Sequence, residues 1–397
     1  MSARPLEGVR VLDLTHYEAG PTGTLLLAFL GADVIKVEDP VRGSAKRRLF
    51  SGNQAREDLY FVVLNLNKRS VTLDLRREGA RDLLLGLVER CDVFVENFSE
   101  EALRRHGLTH EELVRRNPRL VYASIRGYGP DGPRAAYPSL DMTAQAMGGL
   151  MSLTGLDGAP PLRCGATVAD SGGGTNLALG IAAALFQRER TGRGARVEVT
   201  LEESAIGLGR TLLGTHMAYG ETAGRTGNEL RDVVPWNVYG TADSGWVAIC
   251  AIPQALFERL MAAIGEAGAV GAHELHSLRA RKEKRGLVDG LIAAWVGARD
   301  KVEVMRVLCE AGVPCGIVRD SSEIAQDAYL RERGMVLDVD HPEWGRVRVP
   351  GCPVRVSGTA RLSEPCSALG ADNDVVYREL LGLSEVEVNT LRERRVI

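Results

Sequence analysis

The sequence predicts an α/β fold, with a Rossmann-like large domain built on a mostly parallel sheet and a second, smaller α/β domain. Three observations predict it. Apolar strand-like runs alternate with helical patterns through the first half of the chain, the order that sets parallel strands between two layers of helices. The chain opens β-loop-α-β, with an acid, Glu38, closing the second strand. A glycine- and charge-rich break, YGETAGRTGNELRDVV, then interrupts the pattern before it restarts on a hairpin. At 397 residues the chain has room for both domains and their cores.

The elements follow in order. VRVLDLT (9–15) reads as a strand, HYEAGPTG as a loop, 25–30 as a short helix and DVIKVE (33–38) as the second strand. The dinucleotide fingerprint G-x-G-x-x-G is missing, since the first loop holds only Gly20 and Gly23. Residues 42–58 read as an exposed polar loop, and 60–66 and 70–75 as strands. An amphipathic helix is expected over 78–90, a buried strand at CDVFV (91–95), a helix after Ser99 and a strand at LVYASI (120–125). Past the break, 236–239 and 246–251 form a hairpin around TADSG, with helices over 254–264, 282–296 and 301–311. Strands at 335–340 and 346–349 and helices at 373–381 and 385–394 close the chain. The expected division is 1–217, a linker over 218–234, a small domain over 235–325, and a final segment over 326–397.

Composition narrows the partners. Apolar residues make up 45%, charged residues 25%, and the net charge is −3, which gives no electrostatic case for nucleic acid. No apolar segment opens the chain and no apolar run reaches membrane-spanning length, so a location off the membrane is expected. Seven scattered cysteines without a C-x-x-C pair point to a reducing cytoplasm rather than to disulfides or zinc. HELH (273–276) lacks the spacing of a metal helix.

The stretch PPLRCGATVADSGGGTNLALGIAAALFQRERTGRGARVEVTLE (161–202) carries the chemistry. Asp170 is its one acid before a glycine run and a long helical pattern that is expected to begin near Gly174. A helix start favours negative charge, and glycine lets backbone N–H groups approach a ligand closely. On spacing alone Asp170 and Ser171 fit a helix cap equally well.

Seven segments in register resemble one family: PLEGVRVLDLTHYEAGP, LGADVIKVE, LNLNKRSVTLDL, DVFVENF, NPRLVYASIRGYGPDGP, GGLMSLTG and ALFQRERTGRGARVEVTLEE. They are similar to the family III CoA-transferases, the group containing formyl-CoA:oxalate and carnitine CoA-transferases. The resemblance implies that CoA moves from an acyl-CoA donor to a carboxylic acid, with CoA as substrate and no metal or redox cofactor. It implies Asp170 as the nucleophile, with Asp141 near the active site, and a homodimer of interlinked rings in which each chain's two ends meet in the large domain. CoA is implied to lie against His16, Ala19, Asn97, Phe98 and Arg105, with Arg76 near its phosphates. Read as residues alone, Arg76 and Arg105 fit a solvated face, His16 a loop histidine and Asp141 a helix cap.

Three positions depart from the family. Glu18 stands where formyl-CoA transferases have a glutamine near the reacting carbonyl, and a carboxylate there would repel an oxalate-like dianion unless it carried a proton. Glu18 therefore joins Asp170 and Asp141 as a catalytic candidate, and oxalate is not the expected acceptor. Asp39 replaces an arginine of that subgroup. Leu140 replaces the histidine with which the racemase branch moves an α-proton, so racemase chemistry is disfavoured while intramolecular transfer stays open. From other classes, an NAD(P)-dependent oxidoreductase is suggested by the opening unit and Glu38, and a catalytically silent acyl-CoA-binding protein by the fold.

Overall fold

The structure is a computed structural model that describes residues 4–44, 47, 57–359 and 362–397. Six strands form its main sheet: β1 Arg10–Asp13, β2 Asp33–Glu38, β3 Lys68–Thr72, β4 Val93–Glu96, β5 Val121–Arg126 and β6 Arg196–Thr200. All neighbours are parallel, in the order β3-β2-β1-β4-β5-β6. Alternate side chains feed two cores. Leu12, Ile35, Phe94 and Tyr122 face the helix Ala80–Arg90 and the C-terminal helices. Val11, Val34, Val93 and Val121 face the helices Ala19–Phe29 and Val168–Thr191. Burial on both faces is why these strands read as nearly continuous apolar runs.

The last segment covers the β3 edge, which would otherwise present unpaired backbone groups. Asp372 accepts from the Ser70 N–H at 2.7 Å, Asn373 from the Thr72 N–H at 2.8 Å, and the Tyr377 hydroxyl donates to the Thr72 carbonyl at 2.8 Å. The hairpin β10 Val336–His341 and β11 Gly345–Pro350 packs Val339 and Val349 on Leu25, Val62 and Leu66. These residues belong to the first of two compact units, Met1–Met151 with Arg163–Thr222 and Ala328–Ile397. The second unit is Ser152–Leu162 with Ala223–Asp327. It holds the antiparallel sheet β7 Trp236–Gly240, β8 Trp246–Cys250 and β9 Cys315–Ile317, covered by helices that contribute Phe257, Leu260, Ile292 and Leu308.

Several expectations need correction. Residues 59–64 are a helix, not a strand: Asp58 caps it by accepting the Tyr60 N–H at 2.9 Å, and Phe61 and Val62 are buried on one side. The first helix begins at Ala19 rather than 25. Of the loop expected to be exposed, 45–46 and 48–56 lie outside the described residues, but Ser44, Arg47, Glu57 and Asp58 are buried. Arg47 pairs with Glu38 at 2.8 Å and with Glu57, and its guanidinium lies 4.2 Å from the Phe61 ring. Ser152–Leu162, expected with the first segment, folds with the second unit. There Arg225 donates to the Leu156 and Ala159 carbonyls, and the Gly227 N–H donates to Gly155. Arg210–Tyr219 is a helix that runs into the segment expected to be linker.

Candidate active site

The sheet order reverses between β1 and β4, so the crevice of an open α/β sheet lies beyond the carboxyl ends of these two strands. The turn after β1 is built there from buried charge. Asp13 accepts from the Thr15 N–H (2.8 Å), the Thr15 and Thr24 hydroxyls (2.6 and 2.7 Å) and Lys68 (3.1 Å). Burial alone would raise the Asp13 carboxyl, but Lys36, Lys68 and the hydroxyls hold it well below the carboxylate range. Lys36 reaches the Thr15 carbonyl at 2.9 Å. The Asn97 amide then brackets the next residue, accepting from the His16 N–H at 2.9 Å and donating to its carbonyl at 2.8 Å.

Asp170 faces this turn from the first turn of Val168–Thr191, inside the helix rather than ahead of it. It lines a cavity of about 170 Å³ with His16, Tyr17, Ala19, Asn97, Leu140 and Leu201. Two further carboxylates converge on it. Glu18, buried, accepts from the Tyr60 hydroxyl at 3.1 Å, the Ser171 hydroxyl at 3.3 Å and the Thr167 hydroxyl. Asp141, also buried, accepts from the Ala169 and Asp170 N–H groups at 2.9 and 3.2 Å and from Gln145 at 2.6 Å. Asp141 thus opens one helix and caps another, supplying the acceptor that the first N–H groups of the helix Val168–Thr191 lack. Burial first, then the charges of Glu18 and Asp141, push the Asp170 carboxyl up to about 7.

The glycine run acts through packing. Gly172, Gly173 and Gly174 lie inside the helix, where their N–H groups belong to the helical ladder rather than to a ligand. A Cβ on Gly174 would stand 2.6 Å from the Ala19 carbonyl oxygen and 2.7 Å from Thr22 Cβ. A Cβ on Gly173 would stand 2.9 Å from a Leu201 methyl. Glycine costs about 1 kcal/mol against alanine in a helix interior, so Gly174→Ala in open space would stabilise. Here the backbone of Ala19 blocks the methyl, and overpacking of this kind costs about 1–3 kcal/mol. Gly174→Ala is therefore expected to lower the denaturant midpoint, with Gly172→Ala, whose nearest outside atom is 3.6 Å away, as the tolerated control.

The implied CoA residues divide. His16 is half-buried edge-to-face on Phe98, with ring centroids 5.4 Å apart, and desolvation followed by the Lys36 charge pushes its imidazole down to about 4. His16 and Phe98 line a second cavity of about 250 Å³ with Leu14, Val37, Asp39 and Arg76. Arg76 donates there to Asp74 at 2.6 Å and to Asp39 at 2.8 Å, so two carboxylates already hold it. Arg105 is not brought to either cavity; on the helix Glu100–His106 it donates to Glu101 at 2.6 Å with its side chain 67% exposed. A larger cavity, about 410 Å³, lies by Arg4, Phe29, Leu337, Cys352 and Val356, but its described lining has no carboxylate.

Sequence reasoning missed Tyr60, Thr167 and Ser171 as holders of Glu18, and Gln145 as holder of Asp141. It also missed the buried Asp13, Lys36 and Lys68, for which the lysine inside the apolar run VIKVE was the available signal. Among the described residues no group of three or more His, Cys, Asp or Glu is placed to hold a metal ion. No helix among them is long and apolar enough to cross a membrane.

Comparison with known proteins adds findings of three kinds. The model of CoA-transferase family III matches residues 6–373. A formyl-CoA:oxalate CoA-transferase of Streptomyces coelicolor is 38% identical over 412 residues, covering 100% of both chains. One of Rhodopseudomonas palustris is 36% identical over 413 residues, covering 98% of this chain and 96% of the relative. Among solved structures, a CaiB/BaiF family protein from Brucella suis superposes with a TM-score of 0.85 at 30% identity, over 96% of this chain and 100% of its own. Rv3272 from Mycobacterium tuberculosis follows at 0.82 and 28%, over 94% and 99%.

Proposed function

This chain belongs to CoA-transferase family III and is an enzyme of that type, and we propose that it moves CoA between two carboxylic acids through a thioester on Asp170. One observation carries the reading: the Asp170 carboxyl lines a cavity at the switch point of the sheet, its backbone fixed by Asp141 and its carboxyl group raised to about 7. A carboxylate so placed is a nucleophile with a small desolvation cost left to meet at neutral pH.

The steps balance without a further reagent. An Asp170 oxygen bonds to the donor's thioester carbon, the C–S bond breaks, and CoA leaves as the thiolate. The thiolate attacks the Asp170 carbonyl carbon of the resulting anhydride, forms the aspartyl-CoA thioester and releases the donor's acid as carboxylate. The acceptor carboxylate then attacks the aspartyl carbon and expels the thiolate. The thiolate takes the acceptor's acyl carbon, and Asp170 returns as carboxylate. One hard exchange becomes four acyl transfers of similar kind.

Other readings find less support. An NAD(P) pyrophosphate would sit at the start of Ala19–Phe29, where the buried Glu18 carboxylate stands, and Glu38 is already engaged by Arg47 and Ser70. Leu140 lines the cavity where a racemase would need a second proton carrier. Intramolecular transfer would use the same Asp170 chemistry with one molecule as donor and acceptor. The homodimer implied by the family suits the helix Arg210–Tyr219, which exposes Leu212, Leu213, Met217 and Tyr219.

Mixed with small acyl-CoAs and weighed intact, the protein is expected to gain the mass of CoA less one water; no gain with any donor would remove this reading. A second expectation concerns the phosphate end. Asp39 competes with a nucleotide phosphate for Arg76, and an exposed pair of this kind is worth about 0–1 kcal/mol. Asp39→Asn is expected to lower KM for the acyl-CoA donor by up to about fivefold at low ionic strength, with the difference fading in high salt.

A further inference from the structure

Gln145 is a fully buried amide on the helix Asp141–Met147. It follows Asp141 at the i, i+4 spacing, so the two side chains rise from one face of that helix. Its nitrogen donates to Asp141 Oδ2 at 2.6 Å and to the Ala166 carbonyl at 3.4 Å, while its oxygen accepts from the Cys164 N–H at 2.9 Å. The reverse orientation would set oxygen against oxygen and N–H against N–H, so every contact fixes the same one. Cys164 and Ala166 lie just after the chain returns to the first unit at Arg163, and just before Val168, where the helix carrying Asp170 begins. Asp141 in turn accepts from the Ala169 and Asp170 N–H groups on Oδ1, and on Oδ2 from Gln145 alone among the described residues. One buried amide therefore reaches Asp170 by two routes, through Asp141 and through the loop that leads into the helix.

With the reading of the previous subsection as premise, we infer that Gln145 is a positioning residue for the nucleophile: it keeps Asp141 charged and aimed at the Asp170 N–H, and so sets the pH at which Asp170 can attack. A carboxylate out of water stays charged only while donors hold it, and Gln145 supplies the donor on Oδ2. The Asp141 charge is in turn one of the causes, after burial and Glu18, that push the Asp170 carboxyl up to about 7. The other groups facing Asp170 come from other elements: His16 and Glu18 from the turn after β1, Tyr60 from the helix Leu59–Leu64, and Arg126 from the end of β5. Nearby, Glu202 on the helix Leu201–Leu208 is paired with Arg134 at 3.2 Å, and Arg163 donates to the Cys164 and Gly165 carbonyls. None of these side chains bonds to Gln145, so among the charges a substitution there acts on Asp141.

The test follows kcat against pH in the full-length parent, Gln145→Leu and Gln145→Glu, with thermal melts and calorimetric titration of coenzyme A. Leucine removes the donor, whereas glutamic acid, while it holds its proton, still donates to Asp141 and accepts from Cys164. Turnover needs the Asp170 carboxylate and so rises with pH. In Gln145→Leu that rise is expected about one pH unit lower, with kcat at the plateau down about 10–100-fold. CoA affinity should stay within about twofold of the parent, because Gln145 lines neither cavity of the crevice. In Gln145→Glu, ionisation of the new acid adds charge beside Asp141, so the rise should stand at the parent's pH or above it, with kcat higher than in Gln145→Leu. A rise that leucine leaves unmoved, or that both variants shift to lower pH alike, would overturn the inference and leave the transferase reading standing. If Gln145→Leu melts too early to assay, Gln145→Glu decides: a rise at or above the parent's pH with CoA affinity kept supports the inference, and one at lower pH overturns it. A parent that forms no CoA adduct and turns over no donor would end the transferase reading and this inference together.

Discussion

Replacing Asp170 with alanine is expected to lower transfer between any acyl-CoA and any acid by more than about 10³-fold, because nucleophile deletions remove the covalent route itself. The CoA adduct should vanish with it, while CoA binding should persist, since the nucleotide side of the crevice at Arg76, Phe98 and His16 is untouched. The parent's pH profile follows from the same group. Attack needs the carboxylate, and burial, Glu18 and Asp141 place the Asp170 carboxyl at about 7, so turnover should climb between about pH 5 and 8. Stability should run the opposite way. A carboxyl raised on folding holds its proton more tightly in the folded chain than in the unfolded one, so stability declines as pH rises from the ordinary carboxyl range through about 7. Asp170→Asn lacks that decline, and its melting temperature should pull ahead of the parent's across this window. An alanine variant that exchanges CoA at the parent's rate would end the case for Asp170.

Strands β1, β2 and β4 were legible because each is apolar on both faces: Val11 and Leu12, Val34 and Ile35, and Val93 and Phe94 feed opposite cores in alternation. Their order was not, since nothing local distinguishes a strand added to the β3 side from one added to the β6 side. The start of the long helix was misread for a definite reason. Three glycines read as a break, and only the close approach of Ala19 and Thr22 explains why the helix keeps glycine where alanine would be the better former. Tyr60 was misplaced on a strand for want of its tertiary context: a short apolar run has the same composition in a capped helix packed on a hairpin. The meeting of Glu18, Asp141 and Asp170 is a long-range fact. It joins the turn after β1 to two helix starts far along the chain, and no periodicity encodes it.

Glu18 should decide the charge of the acceptor. With Asp141 it already raises the Asp170 carboxyl that lines the cavity, and it is buried, so water screens it poorly. An additional charge about 5 Å from a carboxylate at an effective dielectric of about 20 costs roughly 3 kcal/mol, or about a hundredfold. An acceptor that brings its second carboxylate next to Glu18 meets that penalty, whereas a monocarboxylic acid offers its single carboxylate to the aspartyl carbon alone. The parent is therefore expected to favour a monocarboxylate over oxalate in kcat/KM, although the relatives named above carry oxalate in their names. Glu18→Gln is nearly the same shape and keeps an oxygen to accept from the Tyr60, Thr167 or Ser171 hydroxyls. It should raise oxalate use by about 10–100-fold while changing monocarboxylate use far less. Because the Glu18 charge also helps to raise the Asp170 carboxyl, the same substitution should move the rise of the pH profile to lower pH. The two readouts are independent, one counting the acceptor's charge and the other the nucleophile's. Oxalate turned over by the parent as fast as any monocarboxylate would remove Glu18 as the selector, and a pH profile unmoved in Glu18→Gln would remove it as a neighbour that tunes Asp170.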